Sequence, residues 1–195
     1  MPVRPSRPAL AARYDRRRAE VITAAARHFA RRGYDQTTVA QLTEAMGLAA
    51  GGLYHYFRSK EELLIAICDA LMEPLLEEAE ALLAEIDDPR EQLRELVRLW
   101  VAHVIEHRDH MLVFQQERHV IERGAQWKKV RDARKRFERL LADVLARARP
   151  NDGDDRIALG ALLGMVNHTA QWYRPNGRLS PEQIADGYVD LLLDD

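Results

Sequence analysis

A single cysteine, Cys68, among 195 residues excludes an intrachain disulfide framework. Within a helical pattern it reads as a small buried hydrophobe. Strand-like runs of Val, Ile and Thr are scarce, whereas Ala, Leu, Arg and Glu are abundant, so a sheet is not expected and the fold class is all-α. Long apolar runs are missing as well. The longest aliphatic stretch, Leu63–Ile67, falls far short of the roughly 20 residues a membrane helix needs. MPVRPSRPAL at the N-terminus lacks the apolar centre of a signal peptide. A soluble, cytoplasmic protein with no membrane partner is the expectation. No nucleophile elbow, Gly-rich phosphate loop or metalloprotease motif is present, so neither catalysis nor a cofactor is expected.

What is present is charge, unevenly placed. Residues 1–60 hold 11 Lys/Arg and 4 Asp/Glu, a net of +7. Residues 61–195 hold 18 and 27, a net of −9, which brings the chain to −2. A basic head on an acidic body suits a nucleic-acid partner. Three segments follow: a disordered basic arm over 1–12 carrying Arg4 and Arg7, a head over 13–60, and a body over 61–195.

Periodicity predicts about nine helices. The first runs from about Arg16 to Arg32, with Ile22, Ala25, Ala26 and Phe29 on one face and Gly33 as its stop. Thr38 with Gln41 forms a capping box that opens a second helix, and Gly47 ends it in a left-handed conformation. A third helix has Leu53 and Phe57 on its inner face. Ser59 with Glu62 caps a fourth through Leu63, Ile67 and Leu71, in which Pro74 predicts a kink or break. Asp88-Pro89-Arg90-Glu91 starts a fifth that runs to about His107. A shorter helix covers about Asp109 to Glu122. After Gly124 a long one carries Val130, Phe137, Leu141 and Val144, and Pro150–Gly153 is a loop. An eighth spans Asp155 to Trp172, and Ser180-Pro181-Glu182-Gln183 opens a ninth that ends near Leu193.

Two helices joined at a tight glycine form the unit that sets a recognition helix in the DNA major groove. Gly33-Tyr34, Thr37-Thr38-Val39, Gly47, Leu53-Tyr54-His55-Tyr56-Phe57 and Ser59-Lys60-Glu61-Glu62-Leu63 resemble the signature of the tetracycline-repressor (TetR) family, over about residues 16 to 65. The resemblance implies a homodimer on a palindromic double-stranded operator, with a small-molecule effector in the body. The expected DNA-binding residues are Thr38, Gln41, Thr43, Ala49, Ala50, Gly51, Gly52, Tyr54, His55 and Lys60. Tyr54, His55 and Lys60 are placed for phosphates, which position without specifying. Ala49, Ala50, Gly51 and Gly52 carry no side-chain donors, so base specificity is expected to lean on Gln41, Thr43, Tyr54 and the arm arginines. A sequence-independent architectural DNA protein is the alternative that this silence keeps open.

In the body, Trp100, His103, His107, Met111, Phe114, Gln115 and Arg118 follow helical spacing, joined by Trp127, Arg131, Arg134, Asn167, Gln171, Trp172 and Arg174. Aromatic and aliphatic walls with a few polar groups suit a ligand pocket. His103, His107 and His110 have the spacing of a metal site, but a polar lining is preferred and no metal is expected. Gln171-Trp172-Tyr173-Arg174-Pro175 is similar to a turn in TetR-family regulators that sense coenzyme A thioesters, which implies an acyl-CoA effector; a free hydrophobic drug or acid is the alternative. Gly160, Gly164, Met165, Ile184, Tyr188 and Leu191 on the last two helices are the expected dimer interface.

Overall fold

Helix starts follow the caps that the sequence supplies. The Thr38 hydroxyl accepts from the Gln41 N–H at 3.2 Å, and the Gln41 side-chain carbonyl accepts from the Thr38 N–H at 2.9 Å. Ser59 and Asp88 take the N–H groups of Glu62 and Glu91 at 3.0 and 2.8 Å, and Ser180 with Gln183 forms a second reciprocal box. The computed structural model describes residues 5–149 and 154–193, so Arg4 and the expected loop at Pro150–Gly153 lie outside the described residues.

Among those residues the structure has nine α-helices and no strand: α1 (Pro8–Arg32), α2 (Val39–Ala45), α3 (Lys60–Glu85), α4 (Pro89–Glu106), α5 (Arg108–Gln116), α6 (Arg118–Ile121), α7 (Lys128–Ala148), α8 (Asp155–Trp172) and α9 (Pro181–Leu193). Single 3₁₀ turns occupy Gly52–His55 and Ala125–Trp127. The all-α class holds, but four elements differ from expectation. First, α1 begins at Pro8, so residues 8–12 of the expected arm are helical. Proline suits a first turn, and the added turns bury Ala11 and Tyr14, whose ring lies 5.2 Å from Tyr56. Second, the third helix is only a 3₁₀ turn. Gly51 precedes it at φ +79°, and two successive glycines disfavour the longer helix. Third, α3 continues through Pro74 without a break, because packing of its apolar side outweighs one lost hydrogen bond. Fourth, the Asp109–Glu122 helix is divided at Glu117 into α5 and α6.

Two cores result, and α3 belongs to both. Leu63, Leu64, Ile67 and Cys68 join Phe29, Leu42, Leu53 and Phe57 in the head core. Leu71, Leu75 and Ala79, one to three turns further on, join α4, α7, α8 and α9 in the body core. The head core also takes in Val113, Ile121, Trp127 and Val130 from sequence far beyond the head. In the body, α9 packs along α4 through Ile184, Ala185 and Val189, and Arg94 and Arg98 hold Asp186 and Asp190 across that seam at 2.8–3.4 Å.

Candidate DNA-binding head and ligand cavity

The turn between α2 and the 3₁₀ segment is built from two backbone bonds. The Leu48 N–H reaches the Thr43 carbonyl at 2.9 Å and the Gly47 N–H reaches the Glu44 carbonyl at 3.0 Å, a Schellman closure with Gly47 at φ +61°. It leaves Ala49, Ala50, Gly51, Tyr54 and His55 on an exposed edge, with Gly52 half-buried. Leu53 and Phe57 anchor this edge from below, and the Arg18 guanidinium lies 4.7 Å from the Phe57 ring centre. Thr38 is exposed at the start of α2 and Gln41 is half-buried beside it. Arg13, Arg16 and Arg17 of α1 line a groove with His55 and Tyr56, which extends positive charge along the same edge.

A second concavity lies in the body, a cavity of about 120 Å³. Met72 and Leu75 of α3, Trp100 of α4, Met111 and Phe114 of α5, Phe137 of α7 and Leu163 of α8 give it apolar walls. Trp100 and Phe137 meet edge to face with centroids 5.0 Å apart. Gln115, Arg118, Arg134, Glu138 and Asn167 supply the polar part. A shallow groove continues outward over Gln115, Arg118, Gly160, Gly164, Asn167 and His168.

Two family models match, "Bacterial regulatory proteins, tetR family" over residues 21–67 and "Tetracyclin repressor-like, C-terminal domain" over residues 86–195. The chain belongs to the TetR family. It is similar to the transcriptional repressor KstR2 of Mycobacterium tuberculosis, 26% identical over 190 residues that cover 94% of each chain. The solved structure of that ketosteroid regulator superposes with a TM-score of 0.83 at 25% identity, covering 91% of this chain and 93% of KstR2. PfmR of Thermus thermophilus gives 0.78 at 31% identity, covering 89% and 96%. AibR, solved in complex with isovaleryl coenzyme A and operator DNA, gives 0.78 at 28%, covering 91% and 98%. This TetR-family protein is a ligand-responsive transcriptional repressor.

Several residues expected at the two sites are engaged elsewhere. Thr43 is buried, and its hydroxyl donates to the Val39 carbonyl of its own helix at 2.7 Å, so it offers nothing to a base edge. Lys60 points inward. Its ammonium donates to the Tyr34 and Thr37 carbonyls at 2.9 and 3.0 Å and lies 4.1 Å from the Tyr34 ring centre. Burial, with the Glu61, Asp35 and Glu117 charges adding to it, pushes the Tyr34 phenol up to about 12. In the body, Trp100, Met111, Phe114, Gln115, Arg118, Arg134 and Asn167 line the cavity. Trp127 does not; it is fully buried in the head core, with its indole N–H on Glu61. His103 is turned away, its Nε2 bonded to the Leu71 carbonyl at 2.8 Å, and His107 stacks on it at 4.2 Å. Arg131 holds the Ile121 and Gly124 carbonyls. Gln171 bonds Gln115 at the cavity's edge, Trp172 is 41% exposed, and Arg174 caps the end of α8 by reaching the carbonyls of residues 171–173. Of the expected interface, Ile184 is buried in the chain's own core and Tyr188 bonds Thr169 at 2.9 Å; Gly160 and Gly164 are exposed and Leu191 is 74% exposed. Phe137 is on the expected inner face of its helix, whereas Met72, Leu75 and Leu163 carry no sequence signal that separates a cavity wall from ordinary core.

Among the described residues no cluster of His, Cys, Asp and Glu suits a metal, and no helix is long and apolar enough to cross a membrane.

Proposed function

We propose that this TetR-family repressor binds a palindromic operator as a homodimer and releases it when the acyl part of a coenzyme A thioester enters the body cavity. The observation that carries the reading is the cavity itself, apolar on five helices and polar along one edge. A cavity of about 150 Å³ admits benzene, so one of about 120 Å³ suits a short acyl group. The rest of the ligand lies outside, at the Gln115, Arg118 and Asn167 end of the groove, leaving the Gly160 and Gly164 end to the partner helix. AibR, which shares the fold and carries isovaleryl coenzyme A, supports this class. Thr38, Gln41, Tyr54 and His55 engage the operator beside Ala49–Gly52, joined by Arg7 ahead of α1. The dimer forms on α8 and α9 through Gly160, Gly164 and Leu191, together with Ile157, which is 73% exposed. A Cβ built on either α8 glycine meets nothing within 4 Å, which leaves room for a second backbone.

Operators selected from a random duplex pool provide the test, with affinity measured against isovaleryl-CoA, longer acyl-CoAs, free coenzyme A and isovalerate. Short acyl-CoAs should weaken operator binding at least tenfold while free coenzyme A does not. Release by isovalerate or an uncharged drug alone rejects the thioester reading. A monomer by light scattering at micromolar concentration rejects the dimer.

A further inference from the structure

Two arginines of the cavity share one carboxylate, and that carboxylate stands at the joint between body and head. Arg134 Nη1 is 2.8 Å from Glu122 Oε1, and Arg118 Nε is 3.8 Å from the same oxygen. The Arg134 side chain is 13% exposed. Its Nε is buried without a hydrogen-bond partner, since the nearest carboxylate oxygen, on Glu138, is 3.6 Å away. A buried N–H left unpaired costs free energy that a ligand oxygen would recover.

From Glu122, a chain of contacts leads directly to the DNA-binding head. Its neighbour Ile121 is buried in the head core. Arg131 fixes the segment after α6 by holding the Ile121 and Gly124 carbonyls at 2.9 and 2.8 Å. Gln126 and Trp127, two and three residues past Gly124, donate to Glu61 Oε1 at 2.6 and 3.2 Å. Glu61 is in the first turn of α3, next to Lys60, which ties down the loop between α1 and α2.

We propose that Glu122 is an internal competitor for the ligand: an acceptor oxygen beside the ligand's apolar group takes Arg134 from Glu122, and the freed segment 122–127 loosens its grip on Glu61. This rests on the ligand cavity proposed above. Arg134 then acts as a specificity residue. A carbonyl or carboxylate displaces Glu122, whereas a hydrocarbon of the same shape leaves the pair intact. The ligand weakens DNA binding because it favours the loosened state.

Glu122→Gln keeps the size and removes the competing charge. In the full chain it should bind isovaleryl-CoA about fivefold tighter, the order expected of a partly exposed ion pair. At the same time, the factor by which that ligand weakens operator binding should fall towards one. A purely structural role would weaken ligand binding or change neither quantity, and either result overturns the proposal. Leu163→Trp fills the cavity. If it leaves isovaleryl-CoA binding intact, the cavity reading itself fails; if it abolishes binding while Glu122→Gln behaves as wild type, only the competition fails. Hydrogen exchange of the wild-type chain gives a readout independent of variant folding. Exchange across 121–131 should rise with isovaleryl-CoA, and unchanged protection refutes the release. Isovalerate tested in parallel assigns the oxygen to a free carboxylate if it alone raises that exchange, or to the thioester carbonyl if only the coenzyme A ester does. A saturating ligand that raises it without any acceptor oxygen overturns the proposal.

Discussion

Replacing Lys60 with methionine separates two roles that a lysine at the start of α3 can play. The structure gives it an internal one, with two carbonyl acceptors at 2.9 and 3.0 Å and the Tyr34 ring beneath it. Hydrogen bonds to a charged group contribute about 1.5–3 kcal/mol each when dry. Lys60 is half-buried, so solvent reduces both; the ring adds roughly 0.5–1 kcal/mol. Lys60→Met keeps the aliphatic stem and orphans both carbonyls, for a net loss of about 2 kcal/mol. In a chain of this size that lowers Tm by about 4–8 °C. Calorimetry at fixed protein concentration reads the change, since the proposed dimer would make Tm concentration-dependent. Operator binding across a salt series supplies the contrast, because a lost phosphate contact reduces the slope of log K against log salt by about 0.9. An unchanged Tm with a slope reduced by that amount would refute the internal role and return Lys60 to the DNA backbone.

Three further outcomes follow from the geometry. Gly47→Ala forces a side chain into a left-handed position and should cost about 1–2 kcal/mol in denaturant unfolding; no loss would mean the turn relaxes. Thr43→Val should leave operator sequence preference unchanged in a selection from random duplexes, and an altered consensus would show that the buried hydroxyl reads a base after all. Burial, and then the nearby His107 charge, pushes His110 down to about 4, and burial likewise lowers His103. These imidazoles bind protons less readily folded than unfolded, so their contribution is complete above the ordinary value near 6.5 and is lost as pH falls towards about 4. His110 alone accounts for at most about 3 kcal/mol, and His110→Gln should remove that part of the acid sensitivity in urea titrations at pH 7.5 and 4.5; an equal decline in both proteins refutes the assignment.

What could be read from the sequence was local. Thr38 with Gln41 and Ser180 with Gln183 satisfy each other within one turn, and Ser59 takes the Glu62 N–H, so spacing alone located the helix starts. Gly47 was legible for the same reason. Lys60 was not, because its acceptors lie 23 and 26 residues away and only folding brings them within reach. Trp127 illustrates the same limit at a separation of 66 residues. Its neighbours in sequence suggested a ligand pocket, but the indole is buried in the head core against Glu61. Ile184 and Leu191 share an apolar stripe in sequence, yet α4 covers the first and leaves the second bare, a division set by crossing geometry. The third helical element lies where periodicity put it but is only a 3₁₀ turn, because periodicity does not weigh the cost of two adjacent glycines.

The head core borrows Val113, Ile121, Trp127 and Val130 from beyond α4, and this bears on how such proteins can be recombined. A fragment ending at residue 60 would face water with the side of α1 that normally rests on α5, and would lack Leu63, Leu64 and Ile67 as well. Exchanging operator preferences between two relatives by transplanting the first 60 residues therefore creates a mismatched seam rather than a portable reader. A graft that keeps its specificity and its solubility must carry the stretch from Val113 to Val130 with it, or change only the exposed edge from Ala49 to His55.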